Sequence, residues 1–294
     1  MIFETLLVDQ DERGVVSLTL NRPEKRNALS AKMIDELTKF TVSLTPDTRV
    51  VIIQGAGNLF CAGGDLEWMS AQINADRATR IAAARKLALM LKSLNELPVP
   101  LIAKVHGAAY GGGVGLACVC DYVISSSNVK FGFTETKLGL IPSTIGPYVV
   151  GKMGEAKARE VFMSAKIFNE LDAERLNIVS EISDDLDQST EKYISSYLET
   201  APKAVGEAKA LVRSLGATID DKVIEQTIKQ LADIWEGEYF SFFASIQASP
   251  FSEFTILNGA ASISFFTVGS SKFLPINLLT AKIVFSGFVT ACLF

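Results

Sequence analysis

Residues 105–125 read VHGAAYGGGVGLACVCDYVIS. The left edge closes an apolar run, VPLIAKV (99–105), that reads as a buried strand. Gly107 to Gly113 then form a glycine-rich turn, where small residues let the backbone bend tightly and approach a ligand. An apolar helix follows over 114–119, and DYVIS (121–125) reads as the next short strand. Strands alternating with helices in this way indicate α/β architecture.

The flanking sequence extends the pattern in both directions. Residues 4–8 and 15–20 read as two strands joined by a turn containing Gly14. Ser30 caps a helix over 31–44, with Met33, Leu37, Phe40 and Leu44 on one face. VVIIQ (50–54) is a buried strand ended by Gly55-Ala56-Gly57, and a longer helix spans 76–95. KFGF (130–133) reads as a short strand. From about residue 154 the pattern becomes helical: 155–165, then 203–215 entered through Pro202, then 221–236 with Val223, Ile224, Ile228, Leu231 and Trp235 at helical spacing. The expected organisation is an α/β core over 1–200, a helical lid or oligomerisation segment over 201–237, and an atypical tail over 238–294.

That tail differs in composition. Its 57 residues hold four charges, Glu238, Glu253, Lys272 and Lys282, and 11 of the chain's 18 Phe. It has no clean helical or strand period. It reads as an aberrant C-terminus, as a membrane-contacting segment (273–294 is a mainly apolar 22-mer, interrupted by Pro275 and Lys282), or as an unusual interface segment.

Composition removes several function classes. The chain has 294 residues and a net charge of −5, with no long basic run, so a nucleic-acid partner is not expected. His106 is the single histidine, which rules out zinc sites built on several. Cys61, Cys118, Cys120 and Cys292 form no C-x-x-C pair, so reduced, cytoplasmic thiols are the simpler reading. The N-terminal residues lack the apolar core of a secretory signal. No G-x-S-x-G elbow or P-loop occurs.

Two glycine turns carry the chemistry. One is Phe60-Cys61-Ala62-Gly63-Gly64-Asp65-Leu66, and the other is Gly111-Gly112-Gly113 at a helix start. Backbone N–H groups at a helix N-terminus are unpaired and sit at the positive end of the dipole. Brought together, two such turns would hold an oxyanion between two N–H groups. Taken singly, each is also consistent with a plain tight turn. Gly113-Val114-Gly115-Leu116-Ala117-Cys118, with Glu135 twenty residues on, also has the outline of a degraded dinucleotide fingerprint. Glu135 itself lies among apolar and small residues in FGFTETKLGLIP (131–142). If buried, it would have a raised pKa suited to proton transfer near neutrality. A salt bridge with Lys137 or Lys130 is the alternative.

Together these pieces resemble the crotonase (enoyl-CoA hydratase/isomerase) superfamily. The matching segments are Asn21-Arg22-Pro23 with Asn27-Ala28-Leu29, FCAGGDLEWM (60–69), residues 105–125, and KFGFTETKLGLIPS (130–143). Weaker similarity runs to about residue 236. The resemblance implies a crotonase-like (ClpP/crotonase) α/β fold of repeated ββα units with a helical C-terminal region, assembling as trimers or hexamers. It implies an oxyanion hole from the N–H groups of Gly64 and Gly112, with Glu135 as the catalytic acid/base. Ala62, Gly63, Asp65 and Leu66 would line the CoA channel, and Lys25 or Arg26 would approach the CoA phosphates. Ala28, Gly111, Gly115 and Pro142 would complete the substrate surface. The substrate would be an acyl-CoA thioester, with no metal and no cofactor beyond the CoA it carries.

One departure matters. Two-glutamate hydratases of the family carry a first Glu just after the glycine run, where this chain has Gly115. A single glutamate suits isomerisation, which takes a proton and returns it two carbons away. The string from Gly111 to Val150, with Trp68, is most similar to the methylglutaconyl-CoA and isohexenylglutaconyl-CoA hydratases, whose substrates bring their own carboxylate. Hydration of a branched enoyl-CoA is therefore the first expectation, and Δ3-Δ2 isomerisation the second. A non-catalytic CoA-thioester-binding chain is the third. His106 is expected to pack or hydrogen-bond, Asp121 to fix a turn, and Trp68 and Met69 either to wall the acyl pocket or to join the core.

Overall fold

The computed structural model describes residues 2–216 and 219–237. The readings made for the tail over 238–294, and for Cys292, lie outside the described residues.

The chain opens with a hairpin. Strands β1 (Leu6–Gln10) and β2 (Val15–Leu20) pair antiparallel, with Leu6 opposite Leu20. Gly14 turns between them at φ +81°, a conformation that glycine adopts without penalty. The first strand begins two residues later than its apolar run suggests. The amides of Glu4 and Thr5 donate instead to the buried carboxylate of Glu36, at 3.0 and 2.8 Å. Glu36 belongs to α1 (Ala31–Ser43), which Ser30 caps by accepting from the Met33 amide at 3.2 Å. Met33, Ile34, Leu37 and Phe40 of α1 are buried, as the periodicity predicts.

Strands β3 (Val50–Gly55) and β4 (Leu101–Val105) extend the sheet in parallel. Pro100 has no N–H to give, so β4 starts at Leu101 rather than at residue 99. Between these strands lie α2 (Leu66–Ala71) and α3 (Arg77–Asn95). Next come β5 (Ala108–Tyr110), α4 (Gly112–Cys118), β6 (Tyr122–Ser125) and β7 (Lys130–Gly132). The rest of the described chain holds α5 (Gly146–Met153), α6 (Glu155–Phe162), β8 (Ile167–Asn169), α7 (Glu170–Arg175), β9 (Glu181–Ile182), α8 (Leu186–Leu198), α9 (Pro202–Leu215) and α10 (Asp221–Trp235).

Two sheets result. Six strands run in the order β1-β2-β3-β4-β6-β9, parallel except for the opening hairpin. Three more run β5-β7-β8. Strands β5, β8 and β9 are two or three residues long, too short to show a period. Residues 108–110 read as part of a turn in the sequence, yet they pair with 130–132.

The main core lies among the sheets and α1, α4 and α5, and includes Leu18, Leu20, Phe40, Phe60, Val114 and Phe131. A second apolar cluster joins α3 to α10 through Ala84, Ala88, Ile224, Ile228, Leu231 and Trp235. Leu140, just beyond Glu135, belongs to this second cluster. Among the described residues, no helix is long and apolar enough to cross a membrane.

Candidate active site

The first turn is held by its own backbone. Leu29 donates to the Gly63 carbonyl at 2.7 Å, and Asp65 donates back to Leu29 at 3.1 Å. This bridge leaves the Gly64 N–H between them with no acceptor among the described residues. Asn27 anchors the neighbouring loop in a left-handed conformation at φ 52°. Its side-chain amide donates to the carbonyls of Ala56 and Leu59 at 2.8 and 2.9 Å.

The second turn begins at Gly111, whose φ is +46° and whose N–H donates to Gly132 at 2.9 Å. The turn completes there, so α4 starts at Gly112, two residues earlier than its apolar run suggests. The N–H of Gly112 is in the first helical turn, where no intrahelical acceptor exists.

The two turns meet. Tyr110 donates to the Cys61 carbonyl at 3.0 Å, and Cys61 donates to Ala108 at 3.2 Å. A Cβ added to Gly63 would lie 2.7 Å from the Tyr110 carbonyl oxygen, and one on Gly112 would lie 3.8 Å from Gly63 Cα. No side chain fits on Gly63, whereas the Gly112 distance is ordinary van der Waals contact and its Cβ would press instead on Leu29 Cδ1 at 2.9 Å. The turns approach this closely because Gly63 carries no side chain.

Glu135 closes the arrangement. It opens a short 3-10 turn, Glu135–Leu138, and its carboxyl lies against Gly111. A Cβ on Gly111 would sit 2.7 Å from Oε1. The residue keeps some exposed surface, whereas Oε2 is sealed from solvent and has no hydrogen-bond partner. Burial pushes this carboxyl up to about 7, a rise only partly offset by a hydrogen bond to its own backbone. No charged neighbour contributes, so the salt bridge to Lys137 or Lys130 is not what the structure contains.

The other expected site residues fall into two groups. Asp65 is a structural carboxylate. One oxygen caps α2, accepting from the Glu67 and Trp68 amides at 2.9 and 3.2 Å, and the other accepts from Arg22 at 2.8 Å. Burial opposes its charge, but the Arg22 bond and the two amides prevail and hold its pKa below the usual carboxylate range. Only its main chain is left to face a ligand. Gly115 and Pro142, expected on the substrate surface, are buried. A Cβ on Gly115 would lie 2.3 Å from Ile145 Cγ2, so an isoleucine fills the space that a longer residue would need. Gly113 presses on the Cys61 carbonyl in the same way, which removes the dinucleotide reading because both glycines face protein. Ala28 is nearly buried, Leu66 is exposed, and the Ala62 amide donates to Arg26 at 3.0 Å. Lys25 is exposed and paired with Glu67 at 2.8 Å.

His106 Nε2 donates to the Gly57 carbonyl, 2.9 Å away, and so steadies the loop before the first turn. Asp121 does more than fix a turn: it accepts from the Leu101 amide at 2.8 Å and from Lys209 of α9 at 2.6 Å. The roles of Asn27 and Arg22 were not legible in the sequence, although both lie in the segment that carries the resemblance. Two open depressions, of about 340 and 480 Å³, lie away from Glu135, and both are lined by Lys104 and Asp187. Charges in them already pair, Lys104 with Asp187 and Arg13 with Glu191. Among the described residues, no cluster of three His, Cys, Asp or Glu is grouped to hold a metal.

The family model described as enoyl-CoA hydratase/isomerase matches residues 10–239. The chain belongs to that family. The "Probable enoyl-CoA hydratase echA8" of Mycobacterium bovis is 37% identical over 193 residues, covering 63% of this chain and 72% of its own. The mitochondrial methylglutaconyl-CoA hydratase of Rattus norvegicus is 28% identical over 238 residues, covering 75% of each. The crystal structure of an enoyl-CoA hydratase from Shewanella pealeana superposes with a TM-score of 0.71 at 33% identity, covering 81% of this chain and 90% of that one. The α/β fold of this enoyl-CoA hydratase/isomerase family enzyme is therefore the crotonase fold.

Proposed function

We propose that this enzyme hydrates a branched, α,β-unsaturated acyl-CoA of the methylglutaconyl type. The observation that carries the reading is the sealed, unpartnered carboxyl of Glu135 beside two touching glycine turns with free N–H groups. The thioester oxygen accepts from the N–H groups of Gly64 and Gly112. Water attacks the β-carbon while the Glu135 carboxylate takes its proton. The electron pair of the double bond moves to the thioester oxygen, where the two donors hold the enolate. The Glu135 carboxyl then returns the proton to the α-carbon, so one water is added and the residue ends as it began. A pKa of about 7 populates both forms of the group near neutrality, which this single-residue relay needs. No metal or cofactor enters beyond the CoA of the substrate.

Δ3-Δ2 isomerisation is the second reading, favoured by the Ile145 methyl group packed against Gly115. The two are separated by supplying 3-methylglutaconyl-CoA and a 3-enoyl-CoA and following each by chromatography and mass spectrometry. Turnover of only the 3-enoyl-CoA rejects hydration. A thermal shift with either thioester but no turnover favours a binding chain.

The assembly is proposed to be a homotrimer or hexamer. Leu211, Val212 and Leu215 are exposed along α9, a helix with no buried residue, and suit a subunit contact. Light scattering on Leu211→Glu/Leu215→Glu tests this, with a smaller particle expected.

A further inference from the structure

Trp68 is attended by two buried polar atoms that have no partner. Trp235 meets it edge-on, with ring centroids 6.0 Å apart and planes at 81°. Trp235 is 2% exposed, and its Nε1–H finds no acceptor. Gln72 is 5% exposed, donates Nε2 to the Trp68 carbonyl at 3.1 Å, and keeps Oε1 buried without a donor. That bond fixes which end of the amide is which, so a flip does not relieve it. Buried indole N–H groups ordinarily find a partner, and Trp235 sits instead in the apolar cluster of α3 and α10.

The same cluster adjoins the reacting centre. Met69 packs on it, and a Cβ on Gly64 would lie 3.1 Å from Met69 Sδ. Leu138, which ends the turn that Glu135 begins, packs on it too. Trp68, Met69 and Leu138 are only partly buried, so the edge of the cluster reaches the surface there. Positive charge stands close by. The Arg80 side chain is 11% exposed and donates to the Gln72 and Ile73 carbonyls at 2.8 Å each. Its carboxylate neighbour, Glu236 at 3.7 Å, is shared with Arg77 at 2.8 Å.

We propose that Trp235 is a specificity residue whose Nε1–H donates to a carboxylate oxygen at the far end of the acyl group. The proposal rests on the reading that an acyl-CoA binds with its carbonyl at Gly64 and Gly112. A hydrocarbon tail entering past Met69 leaves both orphan atoms stranded. A distal carboxylate gives the indole its acceptor, and the water it brings gives Gln72 Oε1 a donor. Arg80 offsets part of the added charge.

The test uses two unreactive, nearly isosteric thioesters: glutaryl-CoA, which ends in a carboxylate, and 5-methylhexanoyl-CoA, which ends in an isopropyl group. Calorimetry on the full chain is expected to show glutaryl-CoA binding at least about tenfold tighter, the effect of a hydrogen bond to a charged group. Trp235→Phe is expected to lose that preference and to hold 5-methylhexanoyl-CoA within about twofold of the parent protein, since the apolar contacts remain. The chain has two Trp, so the indole region of a ¹⁵N spectrum carries two resonances, which Trp68→Phe assigns. The Trp235 resonance is expected to move downfield with glutaryl-CoA and not with 5-methylhexanoyl-CoA, a readout that needs no Trp235 variant. Equal binding of the two thioesters, equal weakening of both by Trp235→Phe, or an unmoved indole overturns the proposal. Failure of both thioesters to bind overturns it together with the acyl-CoA site. Absence of 3-methylglutaconyl-CoA turnover with the glutaryl preference intact removes the proposed reaction and leaves the Trp235 assignment standing.

Discussion

Asp65 and Glu135 are both carboxylates set in glycine-flanked turns, and the fold treats them in opposite ways. Both oxygens of Asp65 are occupied, by two amides and by Arg22, and its pKa is held down. Glu135 has one sealed oxygen with no partner, no cation nearby, and a pKa raised to about 7. A carboxylate with both oxygens engaged builds structure. One kept dry and unpaired is held at an energetic disadvantage as an anion and is ready to take a proton. On the proposed reading, the difference separates the carboxyl that moves protons from the one that builds a turn.

The sharpest way to break the comparison is to neutralise each group. Glu135→Gln is expected to lower kcat by about 10²–10⁴, the contribution of a positioned acid/base, while the chain stays folded. Steady-state kinetics beside a circular-dichroism spectrum checks both halves. Asp65→Ala is expected to act on stability, costing about 2–3 kcal/mol, because it leaves the half-buried Arg22 without its carboxylate and removes the cap of α2. Urea unfolding measures it. A loss of activity in Asp65→Ala without a loss of stability would erase the distinction.

The pH dependence of stability should also run in opposite directions for the two. Glu135 is raised in the fold, so its contribution is fully present below its unfolded value of 4.5 and is lost as pH rises through about 7. The parent protein should therefore fall relative to Glu135→Gln across that window, by no more than about 3 kcal/mol. Asp65 is depressed in the fold, so its contribution is present above its unfolded value and is lost as pH falls through its native one. Urea melts at several pH values, on the parent and both variants, give the slopes. A flat difference between parent and Glu135→Gln would mean that the carboxyl is wetter than the structure has it.

The smallest expected effect tests the filled space beside the glycine run. Gly115→Ala puts a methyl 2.3 Å from Ile145 Cγ2 and is expected to cost about 1–2 kcal/mol of overpacking. Pairing it with Ile145→Ala, which removes the Cγ2 methyl that the new group strikes, should show part of the cost returned as coupling between the two. Full additivity of the two costs would show that Ile145 is not what excludes a side chain at 115.

Much of the local structure was legible in advance. The face of α1, its Ser30 cap and the hairpin turn at Gly14 follow from spacing and backbone sterics, which act over a few residues. The helices at 76–95, 203–215 and 221–236 appear within a residue or two of their expected ends. The short strands β5, β8 and β9 were not legible, because their hydrogen bonds come from partners far along the chain. The polar helix α8 was missed for want of a clear apolar stripe. At the site, both glycine turns and Glu135 stood out by residue type, whereas the brackets made by Asn27 and Arg22 did not.

The sequence by itself determined that glycines would stand where two turns need them, that a lone glutamate would follow twenty residues after Gly115, and that Gly115 would offer no second carboxylate. Those facts are matters of residue identity and local conformation. Tertiary structure decided that Gly63 and Gly112 come into contact, that Glu135 is sealed against Gly111, and that Ile145 fills the space beside Gly115. Each depends on pairings between distant segments, such as Cys61 with Ala109 and Leu29 with Gly64. A carboxyl group's pKa depends on what surrounds it, and the chain assembles those surroundings only when it folds.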